Sequence, residues 1–76
     1  MAVQGQVKWF NNRAGWGFIT RNGEPDIFVR HDRIVGDGFK VLQEGDLVEF
    51  EQRQGAQGPY AVDVVRLSAA GRRHAS

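Results

Sequence analysis

The chain contains no cysteine. That removes disulfides, thiolate metal sites and thiol nucleophiles together, and leaves a small protein to hold its core by packing alone. Proline is confined to Pro25 and Pro59, while apolar (41%) and charged (25%) fractions are those of an ordinary globular chain, so disorder is not expected. No apolar run approaches the roughly 20 residues that span a bilayer, and Met1 to Gln6 lack the regions of a signal peptide. A cytoplasmic protein with no membrane partner is therefore expected. An excess of charge is also missing: the formal net charge is +1, too small for the whole-molecule field to identify a polyanionic partner. Any such argument has to rest on where the cations stand. With 76 residues there is room for one domain and not two.

What is present is glycine, at ten residues, and a series of short strand signals separated by turns. Strands are predicted over Gln4 to Asn11, Trp16 to Arg21, Asp26 to Arg30, Leu47 to Gln52 and Tyr60 to Leu67. Between them lie turn clusters: Asn11-Asn12-Arg13-Ala14-Gly15, the tight-hairpin pair Asn22-Gly23, and Arg53 to Gly58, read as a flexible turn. His31 to Glu44 reads as a long connection with one helical turn near Asp32 to Val35. No stretch carries helical periodicity long enough to cover an open sheet, so five strands are expected to close on themselves. The fold expected is all-β, a five-stranded antiparallel OB-like β-barrel over residues 1–67, followed by a flexible basic tail over 68–76.

Strand alternation then separates two kinds of side chain. In Trp16-Gly17-Phe18-Ile19, Trp16 and Phe18 share one face and Ile19 takes the other; in Ile27-Phe28-Val29-Arg30, Phe28 and Arg30 oppose Ile27 and Val29. If Ile19, Ile27, Val29, Val48, Phe50 and Val64 fill a narrow barrel, the rings of Trp16, Phe18 and Phe28 are left on the outside as an aromatic patch. Unpaired bases suit such a patch, each stacked base contributing roughly 1–3 kcal/mol. Lys8, Arg13, Arg30 and Lys40 can frame it and attract phosphates. Of the ten basic residues only Lys8 and Lys40 are lysine, and the eight arginines have planar heads that stack on bases as well as pair with phosphate.

The ordered set Val7-Lys8-Trp9-Phe10-Asn11, Gly15-Trp16-Gly17-Phe18-Ile19, Asp26-Ile27-Phe28-Val29, Gly38-Phe39-Lys40, Glu44-Gly45, Phe50-Glu51 and Gly58-Pro59 resembles the bacterial cold shock protein family from about Gly5 to Leu67. The second and third segments resemble its RNA-binding motifs, K-G-F-G-F-I and D-V-F-V-H-F. The resemblance implies non-catalytic binding of single-stranded RNA and DNA, as an RNA chaperone or a regulator of transcription and translation. It implies stacking positions at Trp9, Trp16, Phe18, Phe28 and Phe39, with Lys8 supplying charge and Phe10 at the margin. Strict alternation would turn Trp9 inward with Val7, so an outward Trp9 requires a bulge or strong twist in the first strand.

The chain departs from the family pattern at four places. Ala14 replaces the lysine before the first motif's glycine, with Arg13 beside it. Trp16 replaces a phenylalanine, Arg30-His31 replaces His-Phe, and Tyr60 stands where a polar residue is common, able either to add a ring at the rim or to pack on the long connection. Three rival readings are weaker. His31 beside Asp32 lacks a nucleophile or metal-ligand spacing, and Gly15-Trp16-Gly17 lacks the rest of a dinucleotide motif, so neither an enzyme nor a cofactor is expected. A peptide-binding barrel would use the same rings without salt dependence. A sugar site would want neutral hydrogen-bonding side chains in place of cations. RNA and DNA both remain open as ligands, and a monomer is expected.

Overall fold

The computed structural model describes residues 2–36 and 41–69. In them five strands close a barrel: β1 (Ala2–Asn11), β2 (Trp16–Thr20), β3 (Ile27–Arg30), β4 (Leu47–Gly55) and β5 (Gly58–Ser68), with a 3₁₀ turn over His31–Arg33. Their order is β1-β2-β3-β5-β4, and β4 returns to β1. Four of the seams are antiparallel and one is not. Because β4 pairs antiparallel with β1, its hairpin partner β5 must run in the direction of β1 and β3, and β3 and β5 meet in parallel at Phe28 and Tyr60. The barrel is thus antiparallel, as expected, at four seams and parallel at one.

Three local expectations also change. Asn22-Gly23 does form a turn, with Gly23 at φ +78° and the Glu24 N–H donating to the Arg21 carbonyl at 3.0 Å. However, the strands stop at Thr20 and resume at Ile27, so the link is wider than a tight hairpin. The segment Arg53 to Gly58, expected as a flexible turn, is mostly strand: β4 continues to Gly55, which pairs with Gly58, and only Ala56 and Gln57 make the turn. The helical turn begins at His31, one residue earlier than expected.

The core contains all six side chains assigned to it by alternation, Ile19, Ile27, Val29, Val48, Phe50 and Val64, together with Val7, Ile34, Leu42 and Ala61. Full burial of each large member contributes roughly 1.5–3 kcal/mol. Ala61 and Val62 are both buried although adjacent, because β5 bulges there: Glu49 pairs with Val65 but Glu51 with Val62, and Asp63 takes the left-handed conformation at φ +54°.

Two contacts fix how β1 lies on the barrel. Gly17, buried in β2, has no room for a side chain. A Cβ there would run into the Trp9 carbonyl oxygen and come within 2.6 Å of Phe10 Cα and 2.8 Å of Phe10 Cδ1. The second contact is Asp46, fully buried, whose Oδ2 accepts the Gln43 N–H at 2.8 Å and faces Arg66 Nη1 at 3.5 Å. Its carbonyl accepts the Val7 N–H at 2.9 Å, and the Gly45 N–H donates to the Val7 carbonyl at 2.7 Å, so the turn ahead of β4 is tied to the middle of β1.

Gly17→Ala should therefore destabilise the protein by roughly 1–3 kcal/mol in urea unfolding, since the added methyl has to displace strand backbone. Asp46→Ala leaves the Gln43 N–H without its acceptor and should lower stability by about 1–3 kcal/mol. In the same assay Arg66→Gln, whose side chain is partly exposed and stands at a long 3.5 Å from Asp46, should change it by less than about 1 kcal/mol.

Candidate nucleic-acid interface

The ring face is built from register. β1 changes register against β2 between Val7 and Trp9: Val7 pairs with Ile19, Trp9 with Phe18, and Lys8 is the extra residue. This is the bulge that an outward Trp9 requires; Val7 is buried and Trp9 is 38% exposed. Phe18 pairs in turn with Phe28, and Phe28 with Tyr60. Trp9, Phe18, Phe28 and Tyr60 thus form one transverse row across four strands, β1, β2, β3 and β5. Beside it runs a second row, in which Asn11 pairs with Trp16 and Trp16 with Arg30.

The rings are packed on one another. Trp9 and Trp16 lie 5.1 Å apart between centroids, Trp9 and Phe18 5.8 Å, Trp16 and Phe18 6.0 Å, Trp16 and Phe28 5.9 Å, and Phe18 and Phe28 5.8 Å. Four of these five contacts are edge-to-face, and the fifth is tilted. Such arrangements contribute about 0.5–1.5 kcal/mol per pair beyond area burial. The indoles remain the more open members, at 38% for Trp9 and 37% for Trp16, while Phe18 and Phe28 are half-buried. Tyr60 is half-buried at the β5 end of the row, its ring against Gly55, where a Cβ would stand 3.2 Å from it.

Charge around the rings is divided between paired and unpaired cations. Lys8 Nζ binds Asp26 Oδ2 at 2.8 Å, and Arg30 Nη2 stands 3.4 Å from Asp32 Oδ2. Arg13 and Arg33 are exposed and have no ion-pair partner among the described residues. Arg13 lies in a turn ordered by Asn11, whose Oδ1 accepts the N–H groups of Arg13 and Ala14, each at 2.9 Å. His31 is exposed next to that turn. Its ring lies over Gly15, where a Cβ would be 2.7 Å from Cδ2, and its N–H donates to the Gly15 carbonyl at 2.8 Å.

Of the residues singled out from sequence, the fold brings Lys8, Trp9, Trp16, Phe18, Phe28, Arg30 and Tyr60 together, with Arg13 and His31 at the adjoining turn. Phe10, expected at the margin of the rings, is partly buried and packs one side against the core. Phe39 and Lys40 lie outside the described residues, as does the tail beyond Ala69. Three residues were missed. Arg33 and Gln57 line a groove of about 330 Å³ with Phe18, Phe28, Arg30 and Tyr60. Arg33 was legible only as a charge in a connection, and Gln57 only as part of a turn. Asn12 was also passed over as a mere turn residue. Its side chain makes both backbone hydrogen bonds to Leu42, accepting the N–H at 3.2 Å and donating to the carbonyl at 3.0 Å, and so fastens the long connection beside the first turn.

Among the described residues no three His, Cys, Asp or Glu side chains stand together as a metal site, and no helix is long and apolar enough to cross a membrane. Comparison with known proteins agrees with the geometry. Residues 3–67 match the "'Cold-shock' DNA-binding domain" family. The major cold shock protein CspA of Bacillus cereus is 55% identical over 67 residues, covering 88% of this chain and 100% of the relative. The cold shock protein CspB of Bacillus caldolyticus is 53% identical over 64 residues, covering 84% and 97%. In fold, the solved structure "drosophila Unr CSD456" superposes with a TM-score of 0.74 at 18% identity, over 96% of this chain and 29% of that one. A closed five-stranded barrel with a face of rings, matched from Val3 to Leu67, places the chain in the cold-shock domain family of non-enzymatic proteins that bind single-stranded nucleic acid.

Proposed function

We propose that the transverse ring row is the platform on which this protein stacks the bases of single-stranded RNA or DNA. The observation that carries the reading is the register Trp9, Phe18, Phe28, Tyr60, which lines up one ring from each of four neighbouring strands. A strand crossing the barrel there would meet a π-face at each step, while a duplex, its bases already stacked on one another, would not. Trp16 widens the row, Arg30 at the end of β3 and His31 just after it continue it, and Lys8 and Arg13 attract the phosphates; Phe39 and Lys40 are assigned to the same surface by resemblance to the family motif.

The action is capture. Binding the unpaired form depletes it from equilibrium with base-paired structure and loosens that structure by mass action, which is how a chaperone or a regulator of transcription and translation can work without catalysis. A platform this small suits the lower end of the roughly 4–16 nucleotides covered by one OB fold. Because the five strands close on themselves, the platform is complete in one chain, and we propose a cytoplasmic monomer as the working form.

Trp16→Ala and Phe18→Ala should each weaken binding of a short pyrimidine-rich single strand by about 1–3 kcal/mol, or roughly five- to 150-fold. Titration followed by quenching of indole fluorescence should show this, with the matching duplex giving little quenching. Binding that is unchanged in both variants, or indifferent to salt, would move the ring face to a peptide partner. Freeing a cation should act the other way: Asp26→Asn releases Lys8 and removes a carboxylate from the rim, and should tighten binding two- to threefold at low ionic strength. That gain should shrink as salt is raised.

A further inference from the structure

The turn between β1 and β2 carries Arg13 and leads straight into Trp16, so its place on the barrel decides where one cation meets the ring face. Its shape is set internally. Asn11 Oδ1 accepts the Arg13 and Ala14 N–H groups, each at 2.9 Å, and the Asn11 carbonyl accepts the Gly15 N–H at 2.7 Å. These bonds join residues of the turn to one another and do not fix it to the barrel. Two outside contacts do. One is His31, whose N–H donates to the Gly15 carbonyl at 2.8 Å and whose ring fills the space where a Gly15 side chain would stand. The second is Asn12, whose amide donates to the Leu42 carbonyl at 3.0 Å and accepts the Leu42 N–H at 3.2 Å, the paired exchange that a residue of a neighbouring strand would make with its backbone. Leu42 is fully buried in the core, so Asn12 ties the turn to the barrel interior through a single side chain. Residues 11–14 are all exposed, and the clamp therefore buries nothing of the turn itself. What it holds in place is Arg13, a cation with no ion-pair partner among the described residues.

Resting on the platform reading, we propose that Asn12 is a positioning residue for nucleic acid: by clamping the turn to Leu42 it presents the Arg13 guanidinium to a phosphate of the strand stacked on the rings, without touching the strand itself. A cation carried on a turn that is already held gives up less conformational freedom on binding than one carried on a free turn. Lys8 and Arg30 are placed by other means, since each stands beside a carboxylate, Asp26 and Asp32 respectively. Dependence on the Asn12 clamp therefore belongs to Arg13, and it is read as charge and not as stacking.

Titration with hexathymidylate, followed by quenching of indole fluorescence over a series of salt concentrations, tests this in the wild type, Asn12→Ala, Arg13→Gln and the double variant. Thermal unfolding verifies that each is folded. Arg13→Gln should reduce the slope of log affinity against log salt by about 0.7, as expected for one lost phosphate contact on a single strand. Asn12→Ala keeps every charge, yet it should reduce the slope by a measurable part of the same amount and weaken binding about three- to fivefold at low salt. In the double variant the two losses should not add, because Asn12 has no cation left to position. An Asn12 with a purely structural role would lower the unfolding temperature, leave the salt slope unchanged and add its loss to that of Arg13→Gln. That outcome would overturn the proposal and leave the platform standing, as would an Arg13→Gln variant with wild-type affinity and slope. If Asn12→Ala unfolds, Asn12→Ser, which retains a hydroxyl to bond one side of Leu42, takes its place in the same cycle with the same criteria. Failure of the folded wild type to bind hexathymidylate would overturn the platform reading and the clamp with it.

Discussion

The ring face depends on one irregularity in β1. Between Val7 and Trp9 the chain gains a residue against β2, so an inward valine is followed within two positions by an outward indole. In a regular strand the two would share a face, and either the indole would crowd the barrel or the valine would leave it. On the edge of β1 away from β2, Val7 exchanges backbone hydrogen bonds with the turn that ends in Asp46. That turn is ordered by the buried Asp46 carboxylate. A charge sealed in the core is thereby linked, through Val7, to the outward position of Trp9 on the opposite side of the strand.

Once the rings are outside, their exposure has to be stabilised without a ligand. They achieve this by packing edge to face, which covers part of each ring and limits the side-chain freedom that binding would otherwise remove. The half-buried phenylalanines serve as floor and the two indoles as the more accessible surface. Charge plays a secondary part: with a formal charge of +1, and with Lys8 and Arg30 beside carboxylates, electrostatic attraction guides a strand to the face more than it holds one there.

Alternation made much of this legible in the sequence. It sorted Ile19, Ile27 and Val29 inward and Trp16, Phe18 and Phe28 outward, because each strand has one dry face and one open one. Alternation fails wherever a strand bulges. Trp9 turned outward in keeping with the family pattern and against local periodicity, and Ala61 and Val62 were buried side by side ahead of Asp63. The parallel seam was hidden for a different reason: strand direction follows from which strands pair, and nothing local in β3 or β5 records that β4 returns to β1. The groove with Arg33 and Gln57 was missed on the same account, since those two residues come together only when the seam forms.

The same alternation explains how binding and stability can vary separately in so small a protein. Along β2, β3 and β5 each outward ring is adjacent in sequence to an inward core residue: Phe18 to Ile19, Phe28 to Val29, and Tyr60 to Ala61. The two faces share a backbone but not their main packing, so a change of ring leaves the barrel's interior in place. Gly17 is the exception. It lies between Trp16 and Phe18 in sequence, is buried, and has β1 resting on it, so any side chain there would lift the strand that carries Trp9. At that position the fold and the ring face are one constraint. A substitution at Gly17 must reach the platform through the barrel, whereas one at Phe18, itself a wall of the groove that holds Tyr60, acts on the row directly.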